Sequence, residues 1–170
     1  MSAARRPQIF GLSRILIVEG TIRSTETSAS LDAVFGVASD LENYPEWATG
    51  VVEVTVVERD DAGRPARAIF VVDGFIKQIS YELEYTYDLP YTISWKAVPG
   101  TDIKEMEGSY EFRPMEGGGT AIAYALRVAP NFSVPGFLRR QAEKQIVQAA
   151  LRGLQLRTEE QAAADEGSAH

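Results

Sequence analysis

Tyrosine and tryptophan are the side chains through which this chain could do chemistry. Its 170 residues include seven tyrosines, two tryptophans, one histidine and no cysteine. Tyr81, Tyr85 and Tyr87 fall at even spacing in one alternating stretch, and Tyr110 and Tyr124 take equivalent positions in two later ones. Even spacing on an extended strand puts side chains on one face. Five phenols are therefore expected to point inward, beside Trp95 and Phe112. A buried phenol without a hydrogen-bond partner costs about 1–3 kcal/mol. Five are many for a dry core. They suit a cavity in which hydroxyls meet one another, water or a polar group of a ligand.

Acid–base catalysis finds few candidates. His170, the only histidine, ends a polar tail, so neither a histidine base nor a histidine metal site is expected. The lack of cysteine removes disulfides, thiolate metal sites and thiol nucleophiles. Glu105, Glu107 and Glu111 alternate with Met106 and Tyr110, which places them on an outer, solvated face. Asp60 and Asp61 occupy a turn, and the serines sit in caps and turns without a nucleophile elbow. No G-x-G-x-x-G or G-K-[ST] phosphate loop occurs. Lys77, Lys96 and Lys104 lie in or beside strands; they could reach a pocket mouth, but such lysines are mostly surface residues. No catalytic residue, metal ligand or cofactor is assigned.

The formal net charge of −7 argues against a nucleic-acid partner, which requires a concentrated basic face. Arg139, Arg140 and Lys144 are interleaved with Gln141 and Glu143 and read as a solvated helix face. No apolar run approaches the ~18 residues of a membrane span, so no stable membrane insertion is expected. Residues 1–17 read as a loosely ordered leader: Arg5 and Arg6 precede Ile9 and Phe10, but Gly11, Ser13 and Arg14 interrupt the apolar run and no cleavage site follows. With no cysteine, this favours a cytoplasmic protein. Residues 18–158 make one domain, and 159–170, small and polar, are expected to be a disordered tail.

The elements that must position the tyrosines follow from periodicity. Val18 to Thr27 alternates weakly and suits a first strand. Ser28 is placed to cap a helix with apolar Leu31, Val34, Phe35 and Ala38, and Asp40 to cap a shorter one through Asn43. Pro45 is expected to set the next turn, because the residue before a proline avoids the helical region. Strands are then expected at Val51–Arg59, Arg67–Asp73, Ile79–Tyr87, Tyr91–Val98, Lys104–Arg113 and Thr120–Ala129. They are separated by turns at 60–63, 73–74, 88–90, 99–102 and 117–119. With the first strand this gives seven, and the successive hairpins imply an antiparallel meander, the first strand pairing with the last or near it.

A long amphipathic helix, Pro135 to Arg157, closes the chain, and the concave face of a curved sheet is its natural seat. On it Ala142, Ile146, Ala149 and Gly153 recur at spacings of four, three and four and share a face. Small residues there have two readings: close approach of helix to sheet, or room for a ligand, typically ~300–1,000 Å³.

Several segments together resemble one family: D-L-E-N-Y-P-E-W (Asp40–Trp47), T-I-S-W (Thr92–Trp95), M-E-G-S-Y-E-F (Met106–Phe112), G-G-T-A-I-A-Y (Gly118–Tyr124) and the closing P-G-F-L-R-R-Q-A-E-K. The set, over about Val18 to Arg157, is similar to the SRPBCC superfamily. More narrowly it resembles the small stand-alone polyketide cyclase/dehydrase or coenzyme Q-binding START-like proteins of actinobacterial type. The resemblance implies an α+β helix-grip fold, in which a seven-stranded antiparallel sheet grips a long C-terminal helix over a deep apolar cavity. It also implies a lipid, quinone, sterol, hormone or polyketide as ligand. It carries over no matching set of catalytic residues.

The expected function is thus binding or carrying a hydrophobic small molecule, as a monomer or homodimer. Tyr44 and Trp47 are expected to border the entrance. Tyr81, Tyr85, Trp95, Met106, Tyr110 and Tyr124 would line the sheet wall, and Ala142, Ile146, Ala149 and Gly153 the helix wall. The alternatives are an aromatase/cyclase or dehydratase, with a tyrosine or Lys96 assisting enolisation, and a protein-interaction module.

Overall fold

A computed structural model of the protein describes residues 20–74 and 77–168. The expected leader, the first two residues of the expected first strand and His170 lie outside the described residues. Seven strands form one antiparallel sheet: β1 (Thr21–Thr27), β2 (Val51–Arg59), β3 (Pro65–Asp73), β4 (Gln78–Asp88), β5 (Thr92–Val98), β6 (Ile103–Pro114) and β7 (Thr120–Pro130). Their order in space is β1-β7-β6-β5-β4-β3-β2, so a meander from β2 to β7 is completed by the first strand pairing with the last. Helices α1 (Leu31–Ser39) and α2 (Tyr44–Trp47), joined by a 3-10 turn over Leu41–Asn43, connect β1 to β2. Helix α3 (Gly136–Ser168) follows β7. This is the α+β helix-grip architecture expected from the sequence.

Local chemistry fixes the turns. In the β2–β3 hairpin Gly63 takes φ of +83°, which a side chain would resist. The Asp60 carboxylate accepts the Ala62 and Arg64 amides, both at 2.9 Å, and pairs with Arg64 Nε at 2.8 Å. Between β5 and β6, Asp102 accepts the Ser80 amide at 3.0 Å and Lys77 Nζ at 2.9 Å, which ties this turn to the start of β4. Hydrogen bonding to these cations and amides holds both Asp60 and Asp102 below the usual carboxylate range.

Three local expectations are corrected. The cap of α1 is Ser30, whose Oγ accepts the Ala33 amide at 3.2 Å, and not Ser28. Tyr44 remains in the right-handed helical region before Pro45. The proline occupies the first turn of α2, where its missing N–H costs nothing, so it starts this helix where a turn was expected. Helix α3 continues through Ser168, so the stretch expected as a disordered tail is helical as far as that residue. Ala162, Ala163 and Ala164 carry enough helix propensity to extend a helix already anchored on the sheet.

The concave face buries Ala68, Phe70, Leu83, Tyr85, Ile93, Trp95, Met106, Tyr110, Phe112, Ile122, Tyr124 and Leu126. Helix α3 lies along β1 and β7 with Val147, Leu151, Leu154, Thr158 and Glu143 turned inward. Thr25 and Thr27 of β1 donate to Gln155 at 3.3 Å and Glu159 at 3.2 Å, which fastens that flank of the helix to the sheet edge.

Candidate functional site

The cross-strand register sets the aromatic side chains in rows. Tyr87, Ile93, Tyr110 and Tyr124 stand side by side on β4, β5, β6 and β7; Tyr85, Trp95, Gly108 and Leu126 form the next row. Gly108 is decisive in the second row. A Cβ added there would lie 2.3 Å from Trp95 Cζ2 and 2.4 Å from Cε2, so the indole rests directly on the glycine backbone. From that position Trp95 meets Tyr110 at 5.5 Å, Tyr124 at 5.4 Å and Tyr85 at 6.1 Å between ring centroids. The chain of rings continues through Phe70, stacked on Tyr81 at 5.6 Å, to Tyr44, and from Tyr44 to Trp47 at 4.7 Å.

The phenols define the polar character of this surface. Tyr44 donates to the Ala38 carbonyl, and Tyr87 donates to the Pro65 carbonyl at 2.6 Å. Among the described residues, the hydroxyls of Tyr81, Tyr85, Tyr110 and Tyr124 have no such partner. None of the four is among the fully inaccessible side-chain oxygens left without a partner, so each hydroxyl touches accessible space. Burial, and after it the neighbouring phenols, raises Tyr44, Tyr85, Tyr110 and Tyr124 well above the ordinary tyrosine value. Burial raises Tyr81 as well, and pushes Tyr87 up to about 12. All six phenols are therefore neutral near pH 7. They can donate a hydrogen bond to a carbonyl, ether or hydroxyl oxygen, but they cannot act as bases.

The structure brings together Tyr44, Trp47, Tyr81, Tyr85, Trp95, Met106, Tyr110 and Tyr124 of the residues expected to form the site. The helix residues behave differently. Ile146 is 42% exposed, and Ala142 and Ala149 lie with it on the flank of α3. The sheet-facing stripe, Glu143, Val147, Leu151, Leu154 and Thr158, is rotated from the expected face by roughly 130° at 3.6 residues per turn. Gly153 is a close-approach glycine. An added Cβ would lie 2.9 Å from the Trp47 carbonyl oxygen and 3.1 Å from its Cε3, so this face of α3 holds α2 and is no void at that point. Arg157 pairs with Glu46 across the same seam.

Lys96 lies on the outer face beside Glu107, 3.9 Å away, and cannot assist a reaction in the concavity. Lys77 is bound to Asp102, and Lys104 is exposed. Glu105 and Glu107 lie on the outer face and flank Arg127 at 3.2 and 3.7 Å. Among the described residues no group of three or more His, Cys, Asp or Glu side chains could hold a metal ion.

Two residues that shape the sheet and its helix escaped the sequence reading. Gly108 carried a signal: a glycine inside a strictly alternating strand marks a close approach. Glu143 carried a misleading one, because a glutamate amid Arg140 and Lys144 reads as surface. It is buried, and its carboxylate accepts the Val128 amide at 3.1 Å, beyond the last paired residue of β1.

Comparison with known proteins agrees with this architecture. A START superfamily protein from Mycobacterium smegmatis superposes with a TM-score of 0.76 at 20% identity, over 83% of this chain and 97% of that one. The Zhui aromatase/cyclase from Streptomyces sp. R1128 gives 0.72 at 12% identity, over 85% and 95%. A STAR-related lipid transfer protein from Xanthomonas axonopodis gives 0.65 at 18% identity, over 81% and 84%. These likenesses establish the fold. No curated protein matches the sequence significantly. The model of one family, described as polyketide cyclase / dehydrase and lipid transport, matches residues 27–155, and the chain belongs to that family.

Proposed function

We propose that the protein binds a hydrophobic small molecule carrying one or more oxygen acceptors in the concavity between its sheet and α3, and that it carries or sequesters this ligand without transforming it. The observation that supports this most directly is the set of four unpartnered phenols, Tyr81, Tyr85, Tyr110 and Tyr124, among buried rings. Apolar burial at ~25 cal/mol per Å² would supply most of the affinity, and the phenols would orient the ligand. A lipid, an isoprenoid quinone or a polyketide-like compound fits that description. Membership of a family described by both cyclase and lipid-transport functions, and likeness to an aromatase/cyclase and a lipid transfer protein, support the same class of ligand.

Binding is preferred to catalysis because the six buried or half-buried phenols are all raised, and a cyclisation that begins with enolisation needs a base. Tyr44 and Trp47 are assigned to the entrance. Tyr81, Tyr85, Trp95, Met106, Tyr110 and Tyr124 are assigned to the sheet wall, and Val147, Leu151 and Leu154 of α3 face it. A cytoplasmic monomer or homodimer without a nucleic-acid partner completes the proposal. The test pairs native mass spectrometry of protein purified from its host with titration of an apolar fluorescent probe. One bound ligand displaced by the probe is the expected result. Tyr110→Phe and Tyr124→Phe should weaken a quinone or polyphenol about tenfold each, the worth of one hydrogen bond to an acceptor, while leaving a pure hydrocarbon probe unchanged. Absence of both co-purifying ligand and probe binding would overturn the reading.

A further inference from the structure

The first turns of α3 have a surface that neither the core nor the phenol cluster uses. Phe137 is 63% exposed and Leu138 44%, the first two side chains after the helix begins at Gly136. Between Gly136 and Thr158 the helix carries Arg139, Arg140, Lys144, Arg152 and Arg157, with Glu143 the only acidic residue. Glu143 is buried, with its carboxylate accepting the Val128 amide. Arg157 is paired with Glu46, whereas Arg140, Lys144 and Arg152 are exposed. A chain of net charge −7 thus gathers cations and large apolar side chains on one stretch of one helix, and its acidic residues Glu159, Glu160, Asp165 and Glu166 on the opposite end.

We infer that this stretch of α3 docks the protein reversibly on an anionic lipid surface. Arginine and lysine heads meet lipid phosphates while their stems lie along the acyl boundary, and Phe137 and Leu138 enter the headgroup layer. With no carboxylate exposed between Gly136 and Thr158 this surface complements a uniformly anionic partner, and the exposed Phe137 and Leu138 beside the cations suit the apolar layer beneath lipid headgroups better than an acidic protein face. No helix among the described residues is long and apolar enough to cross a membrane, so docking is peripheral. The inference stands on the helix surface alone and does not depend on which ligand, if any, occupies the concavity.

The test is co-sedimentation of the full chain with phosphatidylcholine vesicles with and without phosphatidylglycerol. Binding is expected only with the anionic lipid, and it should weaken steeply as salt shortens the screening length. Arg140→Gln with Lys144→Gln should lower partitioning about 30-fold, the worth of two cations at an anionic leaflet. Phe137→Ser with Leu138→Ser should lower it roughly tenfold or more, by removing exposed apolar groups without touching the core. Both pairs should leave the thermal midpoint and probe uptake unchanged, which separates this surface from the ligand site. The inference is overturned by any of three results: no binding to anionic vesicles, equal binding to both vesicle types, or binding insensitive to both pairs. Self-association abolished by Phe137→Ser with Leu138→Ser, in protein that ignores vesicles, would instead assign the face to a second copy.

Discussion

Replacing Gly108 by alanine tests the arrangement of the site at its most constrained point. The new methyl would lie 2.3–2.6 Å from three indole atoms of Trp95, a rigid ring already in contact with Tyr85, Tyr110 and Tyr124. Overpacking of this kind costs about 1–3 kcal/mol. Against it stands the ordinary gain of replacing a strand glycine, about 0.5–1 kcal/mol. The net prediction is a loss of about 1–2 kcal/mol, or a fall in Tm of roughly 2–8 °C for a domain of this size. Thermal and urea melts of Gly108→Ala, Trp95→Phe and the double variant form a cycle that isolates the contact. If the indole is the obstacle, the alanine should be neutral or stabilising once Trp95 is phenylalanine, with a coupling of about 1 kcal/mol or more. A Gly108→Ala protein as stable as the parent, or a cost that persists in the Trp95→Phe background, would refute the reasoning. Displacement of the indole toward the phenols should also weaken uptake of an apolar probe.

Three further predictions concern other parts of the fold. Gly153→Leu should destabilise the domain by about 1–3 kcal/mol and red-shift the emission of Trp47, because the side chain would drive α2 off α3; an unchanged melt would refute this packing. Glu143→Ala should cost about 1–3 kcal/mol in urea melts by leaving the Val128 amide without its acceptor, and Glu143→Gln should cost less. The raised phenols predict alkaline sensitivity. Above the unfolded value near 10 the unfolded chain releases protons that the native state retains, so stability should fall with rising pH, through about 12 for Tyr87 and beyond it for the others. Absorbance at ~295 nm should then show tyrosinate appearing mainly with unfolding; full ionisation of native protein would refute it.

The sheet was legible because alternation leaves little freedom. Once Tyr81 faces inward, Leu83, Tyr85 and Tyr87 must follow, and a one-residue slip would expose them all. The closing helix was less so. Its apolar residues run around much of its circumference, with Phe137, Leu138, Ile146 and Leu156 outside and Val147, Leu151 and Leu154 inside. Periodicity therefore found the helix but not its rotation. That rotation is set by partners far away in sequence: Thr25 and Thr27 on one flank and Trp47 on the other. Glu143, buried through its bond to the Val128 amide of β7, ran against composition for the same reason, whereas Thr158 satisfies its hydroxyl on the Leu154 carbonyl of its own helix. The cap of α1 was missed by two residues because Ser28 and Ser30 satisfy the same local rule.

The pairing of β1 with β7 has a temporal consequence. Thr25 and its helix partner Gln155 are 130 positions apart, and Thr120 reaches back 91 positions to the carbonyl of Ala29. Every other strand pair joins neighbours in sequence and can zip locally as the chain leaves the ribosome, whereas β1, made first, must wait for the last strand and the closing helix. The aromatic wall from β3 to β7 can thus assemble before β1 and α3 close over it. Throughout that interval the concavity is an open, sticky trough, and a lipophilic molecule present during synthesis can enter without passing any gate.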